Sequence, residues 1–351
     1  MTARQAQRIA FLWLVVSLCG VSRLLIAQQA QNAAPNPDVT VIDPDGTAHI
    51  SRVVPVPKTI SPEAQALLAT GASWCPGPRS PEFQPLIDRA RKLYPVNIEE
   101  NKMVAGVKTK WVTPASGIPA DKKNRVLINL HGGGFTVDSG SYVESIPIAN
   151  LTRTLVVSVD YRLAPQNKFP AAVDDVIAVY KELLKTHKAS NIGIYGTSAG
   201  AALTLQAAVR IRHDGLPQPG ALGVFSGNGD STTPTDSSAM FATAGLVGAK
   251  IPEPGNQRTA YLGDHDPKDP LASPIFADLK GFPPTLCMTG TRDAALVGTV
   301  NFNRALRRAG ADTELVVFDA MPHAFWYTTG IPESTEALQI QASFFDRKLG
   351  K

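Results

Sequence analysis

The stretch IGIYGTSAGAALTLQAAVRIRH, residues 192–213, decides the fold. Ile192–Tyr195 is short and apolar, as a buried strand is, and Ser198–His213 carries a helical pattern. Between them stands Gly196-Thr197-Ser198-Ala199-Gly200, a G-x-S-x-G run that leaves a strand and opens a helix. That context is the one in which such a run forms a nucleophile elbow. The sharp turn forces Ser198 into a strained backbone conformation. Residues larger than glycine at 196 or 200 would collide with neighbouring backbone. The serine hydroxyl is then presented above the sheet edge at a helix N-terminus, where the dipole favours negative charge developing on a substrate. Taken alone, the run also fits an ordinary strand–turn–helix junction with Ser198 as the N-cap.

Working outward, strands and helices alternate on both sides of this stretch. Met103–Val112, Arg125–Leu130, Leu155–Asp160, Ala221–Phe225, Thr285–Thr289 and Glu314–Phe318 read as further strands. Ala172–His187, Ala295–Arg308 and Ser334–Leu349 read as helices. Strands separated by helical patterns predict an α/β fold, a mostly parallel sheet with helices on both faces. Upstream, Ser61-Pro62-Glu63 and Ser80-Pro81-Glu82 each open a predicted helix, to about Leu68 and Leu93. The region from about Asp236 to Pro270 breaks the rhythm and reads as an insertion over one end of the sheet.

A second motif supports the first. His131-Gly132-Gly133-Gly134-Phe135 directly follows the strand RVLINL. Three glycines in a row pack nothing and cost conformational entropy. Backbone N–H groups turned toward a ligand would justify them, as in the oxyanion hole of acyl transfer. Gly132 and Gly133 are the expected donors, with the N–H of Ala199.

A nucleophilic serine needs a base, and the base an orienting acid. Of the six histidines, His187 and His213 end helices among charged residues. His49 lies in the polar N-terminal part, His265 among acidic residues in a loop, and His131 orders the glycine loop. His323 follows a late strand across Asp319-Ala320-Met321-Pro322, at the strand end where sites form in parallel sheets. Asp293 follows the preceding strand at the same edge and is the expected acid. Asp319, four residues before His323, is the competitor. It reads as a loop aspartate bonding its own backbone. The resulting chain order is Ser198, Asp293, His323.

Together these residues resemble the hormone-sensitive-lipase-like branch of the α/β-hydrolases, the bacterial family IV esterases, in the form that carries GTSAG at the elbow. The resemblance covers about residues 80–350. It includes the glycine motif at 131–134, DYRLAP at 160–165, FPAA at 169–172, the elbow, DPLASP at 269–274, and Pro322-His323-Ala324-Phe325. Two departures are Gln166, where the family has Glu, and Asp293-Ala294-Ala295-Leu296 in place of Asp-Pro-Leu. The resemblance implies an α/β-hydrolase fold under a helical cap made from the N-terminal helices and the insertion. It also implies hydrolysis of short-to-medium acyl esters without a cofactor. Lactone hydrolysis, carbohydrate-ester deacetylation and amide hydrolysis use the same machinery. A non-catalytic hydrolase-like binding module is the reading from another class, and a complete Ser, Asp and His set argues against it. Phe135 and Phe325 flank the catalytic loops and are candidates to line the substrate site, with core packing the ordinary reading for at least one of them. Arg162 and Asp174 or Asp175 read as structural ion pairs, and Cys287 as a small buried residue.

Composition agrees with a globular protein. The 351 residues are 44% apolar and 18% charged, a length that allows two domains or one large one. Three cysteines, at 19, 75 and 287, build neither a disulfide framework nor a zinc site, and a Cys75–Cys287 bond has no support in the sequence. No His/Cys ligand cluster suggests a metal. Without a dense Lys/Arg run, the net charge of +4 gives no reason to expect nucleic acid. Small esters or lactones are the expected partners, with a homodimer left open.

The charge is mostly an address. Residues 1–30 hold three Arg and no acid, so without them +4 falls to +1. Arg4 and Arg8 precede an apolar run from Ile9 to Val21, the pattern of a secretory signal peptide. Residues 1–27 are therefore expected to direct export, either cleaved or kept as a membrane anchor. Residues 28–55 read as a linker or extended segment, with 28–37 flexible, 56–100 as N-terminal cap helices, and 101–351 as the catalytic domain.

Overall fold

The computed structural model describes residues 39–71, 76–241 and 260–350. Residues 1–27, where a signal peptide or anchor is expected, residues 28–37, Cys75 and half of the insertion expected near 236–270 lie outside the described residues. The chain divides into two units after Pro55. In the first, Val39–Ile42 (β1) and Ala48–Ser51 (β2) form an antiparallel hairpin, in the stretch expected to be a linker or extended segment. Its Asp45-Gly46 turn is the hairpin signal in that stretch, with the Thr47 N–H donating to the Asp45 carboxylate.

The second unit is built on eight strands: Val96–Val104 (β3), Val107–Pro114 (β4), Val126–Leu130 (β5), Leu155–Val159 (β6), Ile192–Thr197 (β7), Ala221–Phe225 (β8), Thr285–Arg292 (β9) and Thr313–Pro322 (β10). They lie in the order β10-β9-β8-β7-β5-β6-β4-β3. Strands β5 to β10 pair in parallel, while β4 runs antiparallel to both β6 and β3. The chain adds β6 on one side of β5, then crosses to add β7 on the other. The gap between β5 and β7 is thus a topological switch point, where ligand crevices form beyond the strand ends. Both sequence motifs leave the sheet at that point.

Side-chain alternation explains why these strands read as continuous apolar runs. Val126, Ile128 and Leu130 of β5 enter one core with Ile192 and Ile194, while Leu127 enters the other with Tyr195. A strand buried on both faces carries no polar alternation. The helices are Pro62–Thr70 (α1), Phe83–Leu93 (α2), Ser141–Thr152 (α3), Ala171–Leu183 (α4), Ala199–His213 (α5), Asp236–Met240 (α6), Leu296–Arg308 (α7) and Pro332–Lys348 (α8). Helices α4, α5 and α7 cover the first core, and α1, α2, α3 and α8 the second.

Three elements differ from the sequence reading. The strand expected at Met103–Val112 is a hairpin, because Ala105 and Gly106 both take positive φ and turn β3 into β4. The helix expected to open at Ser80 begins at Phe83, without a side-chain cap. Helix α3 has no counterpart in the reading. It is buried almost all round and holds Pro147 inside it, so neither amphipathic periodicity nor an uninterrupted pattern marks it.

Candidate active site

The elbow has the geometry its sequence demands. Ser198 sits at φ +59°, ψ −119°, a region that non-glycine residues occupy only at a cost of order 1–3 kcal/mol. A Cβ at Gly200 would stand 1.8 Å from the Leu130 carbonyl oxygen, and one at Gly196 would stand 2.2 Å from it. A side chain at Gly196 would drive β7 away from β5, and one at Gly200 would drive the start of α5 away from it. The Ser198 hydroxyl caps nothing, although the residue stands at the N-cap of α5, so the ordinary junction reading does not hold. The helix carries Arg210, Arg212 and His213 in its last turn and no acid in its first. Its positive end at Ser198 is therefore uncompensated.

Ser198 and His323 line one cavity of about 290 Å³. The walls also include Gly134, Phe135, Ala199 and Tyr261. His323 extends from the end of β10, and its Nδ1 lies 2.7 Å from Asp293 Oδ1 at the end of β9. Asp293 is fully buried. Burial pushes its carboxyl up, but His323, Ser226 and the Ala295 N–H outweigh that and hold it below the ordinary carboxylate value. Ser226 and Thr289 hydroxyls donate to Oδ2, and the Ala295 N–H donates to Oδ1 at 2.8 Å. An ionised carboxylate only accepts, so His323 carries its proton on Nδ1 and leaves Nε2 to exchange one.

Asp319 has other work. It is exposed, and its carboxylate accepts from Thr59 and Thr291 hydroxyls. His131 is buried, with Nδ1 2.8 Å from the Gly132 carbonyl and its ring stacked 4.2 Å from that of Tyr161. It orders the glycine loop. His187 meets the Leu183 carbonyl at a helix end, His213 meets Asp214, and His265 meets Asp269. Arg162 makes a bidentate contact with Asp175, and Asp174 pairs with Arg210. Cys287 is buried, and that burial pushes its thiol up to about 12.

Three expectations need correction. The Gly132 N–H does not face the cavity. It donates to Glu144 Oε1 at 3.1 Å, and Gly134 is the glycine of this loop that lines the cavity. Phe325 is fully buried between Phe318 and Trp326, each ring 5.0 Å away, and is a core residue. Phe135 does line the wall, stacked 3.6 Å on Tyr261. Among the described residues, α1 and α2 contribute nothing to the cavity. Ile60, Ala64, Ile87 and Ala90 sink into the core beside α3 and α8 instead, and Ser61 donates twice to Glu333. Ser226, Ala202, Gln206 and Tyr261 also belong to the site, outside the sequence motifs. Ala202 and Gln206 had a signal, since spacing of four along α5 puts them on the face of Ser198.

Residues 127–327 match the alpha/beta hydrolase fold family. An acetyl-hydrolase of Streptomyces hygroscopicus is 29% identical over 256 residues, which are 69% of this chain and 80% of that one. The crystal structure of esterase E25 superposes with a TM-score of 0.72 at 28% identity, over 85% of this chain and 98% of that one. An esterase of the bacterial hormone-sensitive lipase family superposes with a TM-score of 0.66 at 29% identity, over 78% and 99%.

Proposed function

The chain belongs to the α/β-hydrolase fold family, in its hormone-sensitive-lipase-like branch of carboxylic-ester hydrolases, and from that premise we propose that it is a serine esterase acting through an acyl-enzyme on Ser198. One observation carries the reading: Ser198, on the strained elbow, shares a cavity with a histidine whose Nδ1 is committed to a buried carboxylate.

His323 Nε2 takes the Ser198 proton as Oγ attacks the ester carbonyl. Asp293 holds the imidazole in the required tautomer and stabilises its cationic form. Negative charge gathers on the carbonyl oxygen. The N–H groups available to it are those of Ala199, Gly133 and Gly134, which meet no acceptor among the described residues. The histidine then gives its proton to the departing alcohol. Water, activated by the same Nε2, attacks the acyl-enzyme and frees the acid.

A cavity of about 290 Å³ is at the small end for ligand sites, which supports short acyl groups. The test is Ser198→Ala against p-nitrophenyl acetate and butyrate, with fluorophosphonate labelling of the unaltered chain. Turnover should vanish in the variant, and the label should map to Ser198. Sustained turnover in a folded Ser198→Ala protein would refute the proposal, and an absent adduct would favour a non-catalytic binding module.

A further inference from the structure

The carboxyl group of Glu144 lies outside the residues that the chemistry above uses, yet it touches two of the loops that carry them. Glu144 stands in the first turn of α3 and is 3% exposed. Its Oε1 accepts from the Gly132 N–H at 3.1 Å and from the Tyr327 hydroxyl at 2.5 Å. Gly132 belongs to the glycine loop, and Tyr327 closes the short turn Phe325–Tyr327 that follows His323. One oxygen thus joins the loop that supplies the oxyanion donors to the loop that supplies the base.

The other oxygen fixes this group to the sheet. Oε2 accepts from Asn129 Nδ2 at 2.8 Å, next to the last residue of β5. The Asn129 amide is itself oriented, because its Oδ1 accepts from the Ser158 hydroxyl on β6 at 2.8 Å. Three donors converge on one carboxylate, which binds them more strongly than a neutral acceptor would. The space is kept clear for it: a Cβ at Gly140 would lie 2.0 Å from Glu144 Oε1 and 2.5 Å from the Tyr327 hydroxyl.

A carboxylate is an expensive way to fill a buried site, since well-packed apolar groups of similar volume are often as stable or more so. Burial raises the Glu144 carboxyl from its ordinary value to about 7. What the charge supplies is a fixed distance between loops. Turning the Gly132 N–H inward toward Glu144 leaves the next amides of the loop for the cavity.

We propose that Glu144, with Tyr327, is a positioning residue that holds the oxyanion loop and the histidine loop in register for transition-state stabilisation. This rests on the serine-esterase reading above. A misplacement of about 1 Å in such a donor costs roughly a hundredfold in rate. Loss of the tie should therefore lower kcat and leave the binding of the uncharged ester nearly untouched.

The experiment measures kcat and KM on p-nitrophenyl acetate for Glu144→Gln and Tyr327→Phe, with the inhibition constant of a trifluoromethyl ketone, which binds through an oxyanion. Expected for Glu144→Gln is a fall in kcat of about ten- to a hundredfold, KM within about twofold, and a matching rise in the inhibition constant. Tyr327→Phe removes one hydroxyl and should show the same split, smaller in size. It also serves if Glu144→Gln does not fold. Folded variants whose kcat and ketone inhibition both stay within about twofold of the unaltered enzyme would overturn the proposal. A change in thermal stability alone would overturn it too. Ser198→Ala, run beside them, separates the two readings. Activity that survives Ser198→Ala sinks the mechanism itself, whereas Ser198-dependent activity that ignores Glu144 sinks only the positioning role.

Discussion

His323 Nδ1 lies 2.7 Å from Asp293 Oδ1, and Asp293 reaches that contact from the end of the neighbouring parallel strand, fully buried. The pairing follows from topology. Strands β9 and β10 lie side by side, so the residues that leave their C-terminal ends meet beyond the sheet edge.

Asp293→Asn would keep the shape and exchange an acceptor oxygen for an amide donor. His323 would then accept from that amide on Nδ1 and carry its proton on Nε2, the tautomer that cannot take one from Ser198. The expected loss in kcat is about a thousandfold or more, with secondary structure unchanged by circular dichroism. Asp319→Ala, at the exposed competitor, should leave kcat within about twofold. A larger loss in Asp319→Ala than in Asp293→Asn would reassign the acid.

Ser226→Ala removes one of the two hydroxyls that donate to Asp293 Oδ2, leaving Thr289. Loss of a buried partner to a charged group costs about 1–3 kcal/mol. The sign with pH follows from the depressed carboxyl. Its stabilisation is present above the ordinary aspartate value and is lost as pH falls through the folded one. Without Ser226 the folded value rises, so the acid-unfolding midpoint of Ser226→Ala should move to higher pH. An unmoved midpoint would mean that Ser226 contributes nothing to the carboxylate.

Glu144 titrates with the opposite sign. Its folded value of about 7 lies above the ordinary 4.5, so folding is most favoured below 4.5 and loses stability as pH rises toward 7. The groups facing it are Asp138, which opposes its charge, the Tyr327 hydroxyl that donates to it, the buried phenols of Tyr161 and Tyr195 (the latter bonded to the Glu144 backbone carbonyl), and, through Asp138, Lys110 and His131. Glu144→Gln cannot titrate. Its melting temperature relative to the unaltered chain should therefore be higher at pH 8 than at pH 5, even as its kcat falls. A difference independent of pH would show that the carboxyl does not change its charge in this range.

How much of this was legible varied with the physics of each segment. The strands around the elbow were readable because burial on both faces makes them apolar and short, and the bounds of Ala221–Phe225 agree to the residue. Ser198, Asp293 and His323 were readable because each follows a recognisable strand, and strand ends in a parallel sheet converge. Helix α3 was not, since Pro147 and all-round burial erase its period. With it went Glu144, whose partners Asn129, Gly132 and Tyr327 come from three separate segments. Spacing along the chain carries no trace of such a group. The Gly132 donor was misassigned for the same reason: a glycine run says that amides are exposed, and only the acceptor decides which way each one turns.

The cavity wall gives a last prediction, on acyl length. Ser198, Ala202 and Gln206 line it from one face of α5. Gln206 is held in that wall, accepting from the Tyr261 hydroxyl at 2.9 Å and donating to the Ala272 carbonyl at 2.8 Å. Ala202→Leu adds three carbons to a small cavity, so kcat/KM for p-nitrophenyl butyrate should fall against acetate by about tenfold, the discrimination of one or two methylenes. Gln206→Ala enlarges the cavity along this wall, and water can satisfy the Tyr261 hydroxyl and Ala272 carbonyl that it frees. Hexanoate should then gain on butyrate by a similar factor. If neither substitution shifts the chain-length profile, the acyl group does not lie along this face of α5, and the alcohol occupies it instead.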